Sequence, residues 1–518
     1  MVIALAGLSL VGIPFLTVMG LAAAGTVAVS VLVAVTLLPA LLGFAGRRVL
    51  PRKARLAARL GARPLPQDAP QAVGSGGPGS ALLGEDRETA GLGRQGLSGE
   101  GRDAAGSGRH GLMGGGRHVA APGRRGMLRR AGDGAAREPF GFRWARGVVR
   151  RRVLLLVVGV LGLGALAAPA LDMRLALPDA SAAPVGSPVR AANDLITEGF
   201  GPGFTGRLAL VVSTDDKAAT SAAVEQVRDR LAGTENLLAV TPPNLSQDGR
   251  TALLGVLPRT GPTDPATETL VHDVRDKVHG VAGADVALTG QTAVGIDVSE
   301  KLSRALPTYL LLVVGLSVLL LAVVFRSILV PVKAALGFLL TVGATFGLTT
   351  LVFQQGHLAG LVGLDTPGPL VSFLPILLIG ILFGLAMDYE VFLVSRMRED
   401  FVHGDPPTRA TINGMGHGAR VVTAAALIMT AVFAGFILLD DPVIKSMGFA
   451  LAVGVAIDAF VVRMTLVPAV MSLLGRSAWW LPRWLDRALP DVDLEGAKLR
   501  RHLDADTHEP ELAAATSR

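Results

Sequence analysis

The sequence predicts a polytopic α-helical membrane protein that also carries a small α+β domain. Three observations predict it: long apolar runs with few charges, arginines and lysines gathered beside the ends of those runs, and one polar stretch, 172–305, in which strand and helix patterns alternate. Half of the 518 residues are hydrophobic, only slightly above the share in an average soluble protein, so their blocking into runs sets the class. Runs of about 18 or more such residues are long enough to cross the hydrocarbon core as helices. The chain holds seven, with a partial one before them at 2–11.

In chain order, 1–46 reads as the partial span and one full span, 18–44. Arg47, Arg48, Arg52, Lys53 and Arg55 follow, which places that end in the cytoplasm. Residues 47–151 form a basic Gly- and Arg-rich linker with too few large apolar residues to offset chain entropy, so it is expected to be disordered. Such a linker is a solvated tether, with anionic headgroups as an alternative contact. Arg150, Arg151 and Arg152 precede a span at 152–171, which runs outward. Within 172–305, strands are expected at 207–213, 237–240, 251–257 and 285–288, and a helix at 217–231 with Val224, Val227 and Leu231 on one face. Asp264 followed by Pro265 is an N-cap with proline at the first helical position, starting a second helix with Leu270, Val274, Val278 and Val281 inward. The remainder, 306–475, holds five spans at 306–325, 328–353, about 370–394, 419–439 and 446–474. Arg326 and Lys333 mark one basic turn, and Arg396, Arg398 and Arg420 the next. The tail, 476–518, opens on Trp479, Trp480 and Trp484 as an interfacial anchor and ends polar.

An internal repeat links the two ends. Pro14-Phe15-Leu16-Thr17-Val18-Met19-Gly20 matches Pro442-Val443-Ile444-Lys445-Ser446-Met447-Gly448, and Thr36-Leu37-Leu38-Pro39-Ala40 matches Thr465-Leu466-Val467-Pro468-Ala469. Superposing the copies lays Met1 opposite Met429, inside the span at 419–439. The expectation is therefore a start in mid-helix, with sequence missing upstream.

The stretch that needs a chemical reason is Gly384-Leu385-Ala386-Met387-Asp388-Tyr389-Glu390. A charged side chain well inside the bilayer is unfavourable by roughly 2.5 to 3.5 kcal/mol on insertion scales, so it usually faces a bundle interior or a polar cavity. Asp388 is either a structural carboxylate bonded to a neighbouring helix or a group that loads and releases a proton, with Tyr389 as its hydrogen-bonding partner. Glu390 lies about 100° further round the helix than Tyr389 and is expected on another face or at the cytoplasmic rim. Asp458 and Arg463 lie in the last span. Five residues of α-helix set them about 140° apart, a poor geometry for a direct pair, so either is expected to reach toward Asp388 instead.

These residues resemble the signature of MMPL-type transporters, a branch of the resistance-nodulation-division (RND) superfamily. Supporting stretches are Thr289-Gly290-Gln291-Thr292-Ala293, Phe325-Arg326-Ser327-Ile328-Leu329-Val330-Pro331-Val332-Lys333, and Asp458-Ala459-Phe460-Val461-Val462-Arg463-Met464-Thr465. The resemblance implies an RND-like helical bundle with an extracytoplasmic α+β porter domain in the cell membrane, and proton-driven export of lipids or other hydrophobic compounds. It assigns the proton relay to Asp388 and Tyr389; Asp458 and Arg463, by their place in the last span, are candidates for association with that relay, with a structural role as the alternative. It also implies that the first four spans, the first porter domain and a second Asp-Tyr pair are absent here. The implied partners are membrane lipids, a hydrophobic substrate, protons, and either a separately encoded first half or further copies of the chain.

The competing class is a non-transporting membrane scaffold or sensing partner that uses the linker and the outer domain as binding surfaces. Enzymatic hydrolysis is disfavoured, because neither a phosphate-cradling Gly-Lys motif nor a nucleophile constellation is present. The chain has no cysteine, its nine histidines show no metal-ligand spacing, and no metal or cofactor is expected. The net charge of +7 is accounted for by the linker and span ends, so no nucleic-acid partner is expected.

Overall fold

The computed structural model describes residues 2–45 and 139–488. Most of the expected linker and the tail from 489 lie outside the described residues. Residues 35–137 are a unit by themselves, of which only the last turns of the first long helix are described.

Two short helical turns, Val2–Ala6 and Gly7–Val11, precede Gly12, whose φ of 71° breaks the backbone before the long helix α1, Pro14–Ala45. After the undescribed stretch come α2, Phe140–Arg150, and α3, Arg152–Ala167. Between them Arg151 leaves helical geometry at φ −112°, ψ 27°.

The polar stretch then takes an α+β form, its expected strands and helices joined by further elements. It begins with β1, Leu175–Ala176, and α4, Pro188–Phe200, whose cap Ser187 accepts from the Arg190 amide. Next come β2, Leu208–Ser213; α5, Lys217–Leu231; β3, Leu237–Val240; β4, Asn244–Leu245; β5, Thr251–Pro258; α6, Pro265–Val278; and β6, Asp285–Thr289. The sheet is antiparallel in the order β3-β5-β2-β6, with β4 also on β5, a split βαβ arrangement. Alternation in β2 sends Leu208, Leu210 and Val212 into a core shared with Val224, Val227 and Leu231 of α5 and Leu270, Val274 and Val278 of α6. Asp264 caps α6 by accepting from the Ala266 amide at 2.8 Å.

The sequence placed the domain edge at 305. The helix beginning there in fact starts earlier: α7 runs unbroken from Gln291 to Phe325, so one helix belongs to both the domain and the membrane bundle. Arg275 of α6 grips Asp297 of α7 through two bonds of 2.6 and 2.8 Å, and His272 meets Glu300 one turn on at 2.7 Å. The carboxylate of Asp297 raises the Arg275 pKa above its ordinary value. Because this pair is 31% and 49% exposed, Arg275→Ala is expected to cost roughly 1 kcal/mol or less. Its mark should be faster amide exchange over 291–300 with the thermal midpoint nearly unmoved.

The bundle continues with α8, Leu329–Thr349; α9, Leu374–Val402; α10, Pro407–Gly435; and a last span made of α11, Pro442–Ala456, a π-helical segment Ile457–Leu466, and α12, Val467–Leu474. Strand β7, Leu370–Val371, pairs with β1 in parallel, tying the loop before α9 to the segment after α3. Seven described helices are long and apolar enough to cross a membrane. About two thirds (67%) of the apolar window is buried in each of the spans of α8, α9 and α11–α12, against 6 to 11% for those of α1, α3 and α10. The first three therefore form the middle of the bundle, and any charge they carry inward is a buried one.

Candidate functional site

The centre of the bundle holds four ionisable side chains from those three spans. Lys333 of α8 places its Nζ 2.6 Å from Oε1 of Glu390 on α9. The other carboxylate oxygen of Glu390 accepts from Arg463 Nη1 at 3.2 Å, and Arg463 Nε donates to Asp458 Oδ2 at 2.6 Å. The four side chains are 2 to 8% exposed. Two cations and two carboxylates balance, which is the condition for holding such groups away from water.

Helix phase explains how α9 serves two faces. Asp388 and Glu390 are two residues, hence about 200°, apart. Glu390 shares the buried face with Phe383, Ala386, Leu393 and Met397, whereas Asp388 is exposed and Tyr389, between them, is partly buried. Asp388 and Tyr389 thus sit on the same helical turn as the network, with Asp388 turned away from it.

Two expectations are corrected. Glu390 is at the hub of the network: of the two places expected for it, another face of α9 holds and the cytoplasmic rim does not. Asp458 and Arg463 do pair directly, because Ile457–Leu466 is π-helical: bonding from i to i+5 stacks residues five apart, which an α-helix would splay. Arg463 then reaches Glu390, and its described partners do not include Asp388. Lys333 was counted in the sequence only as a basic marker at a turn. The available signal was a lysine on α8 and a glutamate on α9 that both fall on apolar faces, two charges of opposite sign needing each other.

A second polar feature runs along α8, where the hydroxyls of Thr341, Thr345 and Thr349 bond back to the carbonyls of Gly337, Thr341 and Thr345. Near the α+β domain, a cavity of about 950 Å³ is lined by Met173, Leu175, Phe204, Arg207, Glu300 and Arg304 among others. Among the described residues, Glu268, His272 and Glu300 bring possible metal-ligand atoms within 4.8 Å of one another. Two of the three are already engaged: Glu300 is met by His272 and by Arg304 at 2.7 Å each.

Comparison with known sequences places this geometry. The MMPL family model matches residues 1–66 and 183–493. The chain belongs to the MMPL family. It is 38% identical to membrane protein YdfJ of Bacillus subtilis (strain 168) over 507 residues, 97% of this chain and 59% of that protein. It is 35% identical to the mycolic acid-containing lipids exporter MmpL11 of Mycolicibacterium smegmatis over 369 residues, 70% of this chain and 38% of the relative. With the trehalose monomycolate exporter MmpL3 of the same species it shares 38% identity over 217 residues, 42% of this chain and 21% of the relative. This MMPL chain thus spans at most 59% of the length of these three relatives, and with seven described helices able to cross a membrane it is a multi-pass membrane protein.

Proposed function

We propose that this MMPL chain is part of a secondary transporter that uses the proton gradient to export lipids or other hydrophobic compounds. The observation that carries the reading is the balanced, buried network Lys333–Glu390–Arg463–Asp458 across three central spans, with Asp388 and Tyr389 on its edge. In this network Arg463 bridges a carboxylate on α9 and another on its own helix, so it is the joint at which the two spans would exchange contacts. Sliding α9 against the last span would break the longer contact, at 3.2 Å, and keep the shorter, at 2.6 Å. Protonation of Asp388 removes the charge that faces outward from the same turn, and Tyr389 lies between that charge and the network. Asp388 is the proton carrier in this scheme, Tyr389 its hydrogen-bonding partner, and Asp458 and Arg463 the groups that respond.

Two further features support the scheme. An exposed carboxylate within a span is costly against lipid, so a further protein surface or an aqueous path is proposed to meet the Asp388 face. The cavity of about 950 Å³, with Met173, Leu175 and Phe204 beside Arg207 and Arg304, suits an amphiphile with an anionic head. The export names of MmpL11 and MmpL3 support the substrate class.

The test is Asp388→Asn in cells that carry the chain with whatever companion segment it works with. Export of labelled lipid is expected to fall to background while the amount of chain inserted in the membrane stays constant. Export at the native rate would sink the relay role of Asp388.

A further inference from the structure

We propose that the exposed face of α2 binds anionic phospholipid headgroups. The helix has two unlike sides. Gly141, Ala145 and Val148 are buried, and Gly141 packs so closely on α10 that a Cβ there would stand 2.7 Å from the Gly416 carbonyl oxygen. Opposite them Arg143 and Arg150 lie within about 20° of each other round the helix, and Arg151 follows at the break before α3. All three are exposed, and among the described residues no carboxylate pairs with them. At the same basic end, by contrast, Arg326 pairs with Asp486 and Arg396 with Glu399.

The aromatic flank of α2 selects a lipid over an acidic protein or a nucleic acid. Phe140 and Trp144 stack at 6.0 Å along one edge of the arginine face, and both are exposed. In α3 the apolar surface of Val153, Leu154 and Val157 is exposed too, and that helix is a membrane span. Rings beside a lipid-facing span, with guanidinium groups next to them, match the boundary between acyl chains and phosphates. Each arginine held near an anionic headgroup adds affinity.

The seat is rigid. Trp144 Nε1 donates to the Met464 carbonyl at 2.9 Å, and Arg152 donates to the Ser472 carbonyl at 2.7 Å. Met464 directly follows Arg463 in the π-helical segment, so a headgroup bound on α2 bears on the backbone that carries the buried arginine. The lipid site itself does not depend on the transport reading.

The experiment is native mass spectrometry of the full chain, purified in a non-ionic detergent and equilibrated with equal amounts of dioleoylphosphatidylglycerol and dioleoylphosphatidylcholine. Given three guanidinium groups, the native chain should retain the glycerol lipid over the choline lipid by at least about five-fold. Arg143→Gln, Arg150→Gln and Arg151→Gln together should bring the ratio to within about two-fold, while lysine at all three positions keeps the preference. A native chain without preference, a glutamine triple variant that keeps it, or a lysine triple variant that loses it would each overturn the proposal.

Discussion

Glu390→Gln is expected to destabilise the chain by about 3 to 5 kcal/mol, the cost of leaving a buried charge without its counter-ion. Lys333 would then face a neutral amide, and Arg463 would keep only Asp458. The measurement is the temperature at which the detergent-purified chain loses its monodisperse peak. A second variant separates charge balance from shape: Lys333→Met with Glu390→Leu removes one cation and one anion and leaves the Arg463–Asp458 pair intact. Since a balanced removal of a buried pair is often near neutral, the double variant should be more stable than Glu390→Gln alone. A single variant as stable as the native chain would mean that water reaches this network.

The other large effect is steric and lies where α3 crosses α8. A Cβ on Gly347 would stand 1.9 Å from the carbonyl oxygen of Leu166, a backbone atom that cannot turn aside. Gly347→Ala is therefore expected to cost at least the roughly 3 kcal/mol at the upper end for overpacked sites, by forcing the two spans apart. Gly343, one turn earlier on α8, would place its Cβ 3.2 Å from the side chain of Ala167, so Gly343→Ala should be much milder. Thermal unfolding of the two variants side by side reads the difference, and equal midpoints would refute the packing argument.

Much of the architecture was legible because it rests on local signals. Apolar runs marked the spans, alternation marked β2 and β5, and Asp264 with Pro265 marked the start of α6. Hydropathy reports where a helix is greasy and is silent on where it starts. It therefore placed the fourth of the later spans at 419 and missed that α10 begins at Pro407, and it cut α7 at 305. The site was legible in part. Asp388, Asp458 and Arg463 stand out as charges in apolar surroundings, whereas for Glu390 the angle from Tyr389 leaves another face and the rim both open, and its phase with Phe383, Ala386, Leu393 and Met397 is the better guide. The link between Asp458 and Arg463 was hidden for a different reason. At 3.6 residues per turn the two would be splayed apart, and nothing in Ile457–Leu466 announces another pitch.

That pitch has a consequence for the way this part of the molecule tolerates change. A widened turn accommodates an additional residue without lengthening the helix in proportion, so the contact between Asp458 and Arg463 is encoded by how many residues separate them as well as by which residues they are. With the count unchanged, a return to ordinary α-helical pitch would set the two about 140° apart and undo the contact, whereas deleting Ala459 would leave them four apart, on one face of an ordinary helix. An alignment gap of one position here would therefore mark a change of helical pitch and not a lost pair, even between chains whose acidic and basic letters all match.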